Sequence, residues 1–228
     1  MRKPQLLIAS ALLGLAATPS LATIVPPATG GVAITAFDTS TQGTLLDSNV
    51  LTGQSLTFAG SMAVAVYRNT LGTLDFYYQF ARTGAGTQNS DAVERITGAN
   101  FAGYTVDALF SDADLDGAGI FTASNNPGAA ATARRNLDGG VVGVDLDPSN
   151  PLAGTEISST YIFRTNATEY EAGTFGVIDG SSFQGISYQP TGAVPEPATW
   201  AMFILGFGAA GAAMRRGRKR TLATATTI

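Results

Sequence analysis

Between Thr73 and Phe80 the chain reads Thr-Leu-Asp-Phe-Tyr-Tyr-Gln-Phe, which puts Leu74, Phe76, Tyr78 and Phe80 on one face. A period of two turns alternate side chains to opposite sides of a pleated strand, so the segment predicts a half-buried β-strand. Similar short runs recur at Val32–Phe37, Met62–Arg68, Tyr104–Phe110, Val141–Leu146, Ile157–Arg164, Thr168–Thr174 and Phe183–Tyr188. Turn formers separate them: Gly84-Ala85-Gly86, Asn125-Asn126-Pro127-Gly128, Asp138-Gly139-Gly140, Asp147-Pro148-Ser149-Asn150-Pro151 and Asp179-Gly180. Asp91–Thr97 reads as a strand or a short helical turn, and no long segment of helical period occurs within residues 23–194. Many short strands with no strict repeat predict an all-β fold, an antiparallel β-sandwich or jelly roll, rather than a propeller or solenoid.

Composition narrows the chemistry. The chain contains no His and no Cys, and its two lysines, Lys3 and Lys219, lie at the ends. Serine and cysteine nucleophiles activated by His or Lys are excluded, as are Schiff-base lysines. Zinc, blue-copper and haem sites that depend on His or Cys go too, and disulfides cannot form. What remains is carboxylate chemistry and oxygen-ligand metals. Residues 23–194 hold six arginines and sixteen carboxylates, a net charge of −10 that the whole-chain value of −4 conceals. Nucleic acid and anionic lipid need a basic surface, so neither is an expected partner of this part.

The two ends are of another kind. Met1-Arg2-Lys3 and the apolar Leu6–Ala17 form the first two regions of a secretory signal peptide. Ser20-Leu21-Ala22 supplies small residues at the cleavage site, so 1–22 is expected to be removed after Ala22. An uncleaved anchor is the other reading of that segment. At the far end, Ala198–Met214 is seventeen residues without a charge, enough for about 25 Å of helix at ~1.5 Å per residue. That suffices for a short membrane span, with Trp200 at the outer interface and the cations Arg215, Arg216, Arg218, Lys219 and Arg220 on the cytoplasmic side. Gly206-Phe207-Gly208-Ala209-Ala210-Gly211 spells a dinucleotide fingerprint, but it lies inside the apolar run, where small residues serve helix packing instead.

Pro195-Glu196-Pro197, an apolar span and an arginine cluster, in that order, resemble the PEP-CTERM sorting signal of Gram-negative bacteria. The spelling Pro195-Glu196-Pro197-Ala198-Thr199-Trp200-Ala201 is similar to its PEPxxWA variant, with Trp200 and Ala201 in the matching places. The resemblance covers residues 195–220 and implies export, retention in the inner membrane and processing by an exosortase near the PEP motif. It also implies a producer of extracellular polysaccharide. The eight residues 221–228 that follow the arginines depart from the usual pattern and are expected to be a cytoplasmic tail. The expected organisation is therefore a signal peptide (1–22), an extracytoplasmic sandwich (23–194), a sorting signal with its transmembrane helix (195–220) and that tail.

Candidate sites in the body compete with plain structural roles. Asp112-Ala113-Asp114-Leu115-Asp116-Gly117 opens like a calcium loop, with Asp112, Asp114 and Asp116 at ligand spacing. Position twelve is Ala123 where an EF-hand needs Glu, so either a looser calcium turn or a solvated acidic turn fits. Glu169 with Glu171, or Asp145 with Asp147, has the spacing for an acid–base pair, although alternation on a solvent face gives the same pattern. Tyr67, Tyr77 and Tyr161 are candidate sugar platforms if they face outward. The threonines form no regular array of the kind an ice-binding face needs. The expectation is a non-enzymatic protein with a structural or adhesive role in the cell envelope or extracellular polysaccharide matrix, needing no cofactor. A carbohydrate-binding module, with or without calcium, is the alternative, and a carboxylate glycosidase the third reading. The expected partners are an exosortase-type enzyme, the inner membrane and extracellular polysaccharide.

Overall fold

The computed structural model describes residues 23–115, 119–128, 130–191 and 204–208. Twelve strands make up the described body: β1 (Thr29–Ala33), β2 (Thr35–Ala36), β3 (Thr44–Gln54), β4 (Phe58–Arg68), β5 (Leu74–Ala85), β6 (Arg95–Gly98), β7 (Val106–Ser111), β8 (Thr132–Arg135), β9 (Val142–Asp145), β10 (Thr160–Thr165), β11 (Glu169–Asp179) and β12 (Ser181–Thr191). They form two six-stranded sheets, ordered β1-β8-β9-β6-β11-β12 and β2-β7-β10-β5-β4-β3. Every pairing is antiparallel except β2 with β7. The described body is an all-β sandwich, and in the ambiguous Asp91–Thr97 the part from Arg95 on is strand rather than helix.

The predicted face of β5 fills the space between the sheets. Leu74, Phe76, Tyr78 and Phe80 belong to the main core with Val64, Val66 and Phe163 from the same sheet and Ile96, Val144, Phe175 and Val177 from the other. Phe80 of β5 meets Phe183 of β12 across the sheets at 6.5 Å between centroids, and within each sheet Phe58 meets Phe80 at 5.7 Å and Phe175 meets Phe183 at 5.2 Å, both edge to face. That geometry suits ring quadrupoles and adds to the burial of their area. Tyr78 keeps its hydroxyl paired inside the core by donating to the Tyr188 carbonyl of β12 at 3.1 Å. Gly98 is required beside it, since a Cβ there would stand 2.6 Å from the Tyr78 hydroxyl.

The opposite face of β5 departs from the half-buried expectation. Asp75 and Tyr77 are fully buried and Gln79 nearly so. Two segments cover this outer face. Phe37 packs edge-on to Tyr77 at 5.9 Å, and Phe121 lies on its other flank at 5.7 Å. Leu115, Leu109 and Ile162 complete a second, smaller apolar layer. The Gln79 amide fastens the cover, donating to the Thr122 carbonyl at 2.7 Å and accepting from the Thr122 N–H at 2.9 Å. Such a layer arises because loop residues far away in sequence supply apolar side chains that alternation within β5 cannot reveal.

One ion pair closes this layer. Arg164 on β10 lies opposite Asp75 on β5 and gives it Nη2 at 3.0 Å and Nε at 3.2 Å. Asn69 adds a third donor at 2.7 Å. Burial still pushes the Asp75 carboxyl above its ordinary range, and Arg164 and Asn69 pull the other way. Removing the cation strands a buried charge. Arg164→Ala is expected to lower stability by about 3–5 kcal/mol in urea unfolding, whereas Arg68→Ala, on an exposed residue, is expected to change it by under ~0.5 kcal/mol.

Candidate functional site

Three groups of candidate residues can be placed, beginning with the acidic loop. Asp112 is turned to the protein rather than to a cation. Its Oδ1 accepts from the Gly128 N–H at 3.1 Å and from the Ser159 hydroxyl in a short hydrogen bond. The carboxylate thus ties the end of β7 to the segments that lead into β8 and β10. Asp114 is exposed, and Asp116 lies outside the described residues. No three ligand side chains are grouped to hold a metal among the described residues.

The carboxylate pairs separate into two environments. Glu169 and Glu171 both stand exposed on β11, where Glu171 accepts from the Gln189 amide at 2.8 Å. Asp145 forms a short ion pair with Arg95 Nε and a longer one with Arg134 at 3.4 Å. Asp147 caps its own turn, accepting from the Ser149 N–H at 2.9 Å and hydroxyl at 2.7 Å. Those bonds hold the Asp147 carboxyl below its usual range, the opposite of what a general acid needs.

Asp145 and Asp147 nevertheless share a groove of about 460 Å3 with Asp91, Glu94 and Arg95. Asp91 and Glu94 are the members that sequence spacing missed, because they arrive on the segment leading into β6, about fifty residues before Asp145. Near them Asp179, at the β11–β12 turn, is 6 % exposed, and burial and the Asp91 charge raise its carboxyl. The groove is acidic and open, with side chains suited to accepting hydrogen bonds from hydroxyl groups.

The candidate sugar platforms are internal. Tyr67 and Tyr77 lie beneath the loops that cover the outer face of β5, and Tyr161 points into the main core at 1 % exposure. Their outward orientation is therefore corrected. Strand alternation assigns opposite faces properly, but here both faces are packed.

The C-terminal strand leads straight into the sorting segment. β12 ends at Thr191, paired with Glu169, and only Gly192 separates it from residue 193. Residues 193–219 match the PEP-CTERM protein-sorting motif. The chain carries that signal. It starts two residues before, and ends one residue before, the range expected from the Pro-Glu-Pro, apolar and basic elements. No curated protein and no solved structure matches the chain. The PEP-CTERM motif marks an exported precursor that is targeted to an exosortase. Its residues Pro195, Glu196, Pro197, Trp200 and Ala201 and its basic cluster lie outside the described residues, as does the expected cleavage site at Ala22. Of the expected span, 204–208 is described and helical. Among the described residues no helix is long and apolar enough to cross a membrane.

The Asp112 contacts generate a prediction about calcium. If the carboxylate works as an internal anchor, Asp112→Ala costs about 1–3 kcal/mol by leaving buried donors unpaired. Thermal unfolding should show the same loss with a chelator and with millimolar calcium. A loss confined to the calcium-loaded sample would restore the calcium turn.

Proposed function

We propose that residues 23–191 form a non-enzymatic β-sandwich that the PEP-CTERM tail delivers to the cell envelope or the extracellular polysaccharide, where its role is structural or adhesive. The observation that carries this reading is the direct passage from the last strand, β12, into the sorting motif after one intervening residue. A body joined so closely to its address has one end fixed toward the membrane until it is released. In this reading 1–22 is removed after Ala22, the apolar stretch 198–214 spans the inner membrane, and an exosortase cuts near Pro195–Pro197.

The engagement of the carboxylates supports a non-enzymatic body that needs no cofactor. Asp112, Asp145, Asp147 and Glu171 each hold a neighbouring donor, which is how structural carboxylates behave. The open acidic groove at Asp91 and Glu94 favours a second reading, a module that binds polysaccharide hydroxyls. A glycan array probed with and without a chelator separates the two: binding that Glu94→Gln abolishes supports the module, and no binding supports the structural role.

Intact mass of the protein recovered from envelope and medium of its native host tests the sorting reading. A body running from Thr23 to a residue between Val194 and Pro197 is the expected product. Protein that retains Trp200–Arg220 in every fraction would mean a permanent anchor instead.

A further inference from the structure

The outer face of the β5 sheet holds a buried charge that is one cation short. Asp107 on β7, Arg164 on β10 and Asp75 on β5 lie side by side in one register row. Arg164 spends its donors on Asp75 and on the Thr41 hydroxyl. Asp107, on its other side, is 8 % exposed, makes no ion pair among the described residues, and has an Oδ1 with no hydrogen-bond partner there. Two buried carboxylates and one guanidinium leave a negative charge uncompensated, which proteins rarely tolerate without a partner.

The segment packed against Asp107 is the start of the body. Ile24 bridges to Asp107 as an antiparallel strand residue, the Val25 N–H donates to the Val106 carbonyl at 2.8 Å, and Val25 is buried at 1 % exposure. Arg135 Nη1 holds the Val25 carbonyl at 3.3 Å. The Ile24 bridge brings the Thr23 backbone N–H near the Asp107 carboxylate, which it favours in its charged form, while burial pushes that carboxyl up. Thr23 is also the residue that cleavage after Ala22 would make first in the chain.

We propose that removal of the leader creates the missing cation in place, as an ion pair between the Thr23 α-ammonium and Asp107. Hydrolysis of the Ala22–Thr23 peptide bond consumes one water, leaves a carboxylate on Ala22 and frees the Thr23 nitrogen, which takes up a proton. A peptide N–H offers one donor and no charge, whereas an ammonium offers three donors and a full charge. The row then reads minus, plus, minus, with the fourth charge positive. The uncleaved chain keeps an unpaired buried carboxylate and is less stable than the mature protein. Cleavage therefore tightens the sandwich on the side of the membrane where it is needed. The pair rests on the export reading, and specifically on cleavage after Ala22.

The pH dependence has a definite sign. The charged groups facing Asp107 are the Thr23 terminus, Arg164 from β10 and, behind it, Asp75 from β5. Pairing raises the α-amino group above its unfolded value of about 7.7–8.0. Its stabilisation is full below that value and is lost as pH rises through the folded one.

The sequence makes the test clean, because residues 23–194 contain no lysine and the Thr23 amine is the sole primary amine of a sorted body. Protein recovered from the native host is first weighed to establish its N-terminus. It is then acetylated with an N-hydroxysuccinimide ester across a pH series, folded and in concentrated urea. The expected result is an amine titrating above its urea-unfolded value, with acetylation near pH 7 slower by ~tenfold or more. Asp107→Asn is expected to remove the raised titration. If this variant does not fold, the wild-type profile decides, since a merely buried amine titrates below its unfolded value rather than above it. A Thr23 amine that titrates as in urea, or lower, overturns the ion pair and leaves the export reading standing. A first residue other than Thr23 overturns the cleavage assignment and the pair together.

Discussion

The structure depends on burying both faces of β5. One face supplies the main core, but an ordinary sandwich strand would leave the other to water. Here Asp75, Tyr77 and Gln79 are enclosed, so each polar atom must find a partner within the protein. Gln79 meets this demand through the Thr122 backbone and Asp75 through Arg164 and Asn69. The Tyr77 hydroxyl is the exception, with no hydrogen-bond partner among the described residues, and burial drives its ionisation well beyond the ordinary tyrosine range. The loops at 37–41 and 119–124 are therefore structural parts of the domain. Arg164 joins the first of them to the sheet, with its guanidinium 5.7 Å above the Phe37 ring and Nη2 bonded to Thr41, and Gln79 joins the second.

This arrangement explains how a chain without cysteine can hold a sandwich together outside the cytoplasm. Disulfides would stabilise by restricting the unfolded chain. Here, side chains bridge positions far apart in sequence: Arg164 with Asp75, Gln79 with Thr122, Tyr78 with Tyr188 and Thr57 with Ser181, the last at 2.7 Å. Carboxylates are used the same way. Asp112 ties three segments and Asp145 draws Arg95 and Arg134 together, so much of the acidity that resembles a site in the sequence is internal bracing.

What the sequence made legible follows from how local its signals are. Alternation from Leu74 to Phe80 located β5 and its core face, and similar runs located β4, β7, β9, β10, β11 and β12. β3 was missed because Asp47, Ser48 and Asn49 interrupt its apolar residues, and a register shift between Leu45 and Asp47 breaks the period. β8 was missed because it is four residues long and half arginine. The sorting signal was readable because it is contiguous. The groove was not, since Asp91 and Glu94 reach Asp145 and Asp147 only through sheet pairing, as β6 lies beside β9. The Asp107 row was likewise invisible, because three strands far apart in sequence must align before its charge excess exists.

The two ends of the body lie toward one end of the sandwich, and this links the folded domain to its route of export. Val25 bonds to Val106, which stands opposite Thr165 at the end of β10. Four residues later Glu169 opens β11 opposite Thr191, the last residue before the tail. Four residues span at most about 14 Å of chain, so Val25 and Thr191 lie toward the same end of the sandwich. A precursor held in the membrane at both ends would present that end of the sandwich to the bilayer and the acidic groove away from it. The groove is at the opposite end, since Asp179 marks the far turn of the β11–β12 hairpin and Glu94 donates its N–H to Ile178 beside it. An anionic inner-membrane surface would repel a strongly acidic body, so standing on one end keeps the carboxylates of the groove at a distance from it.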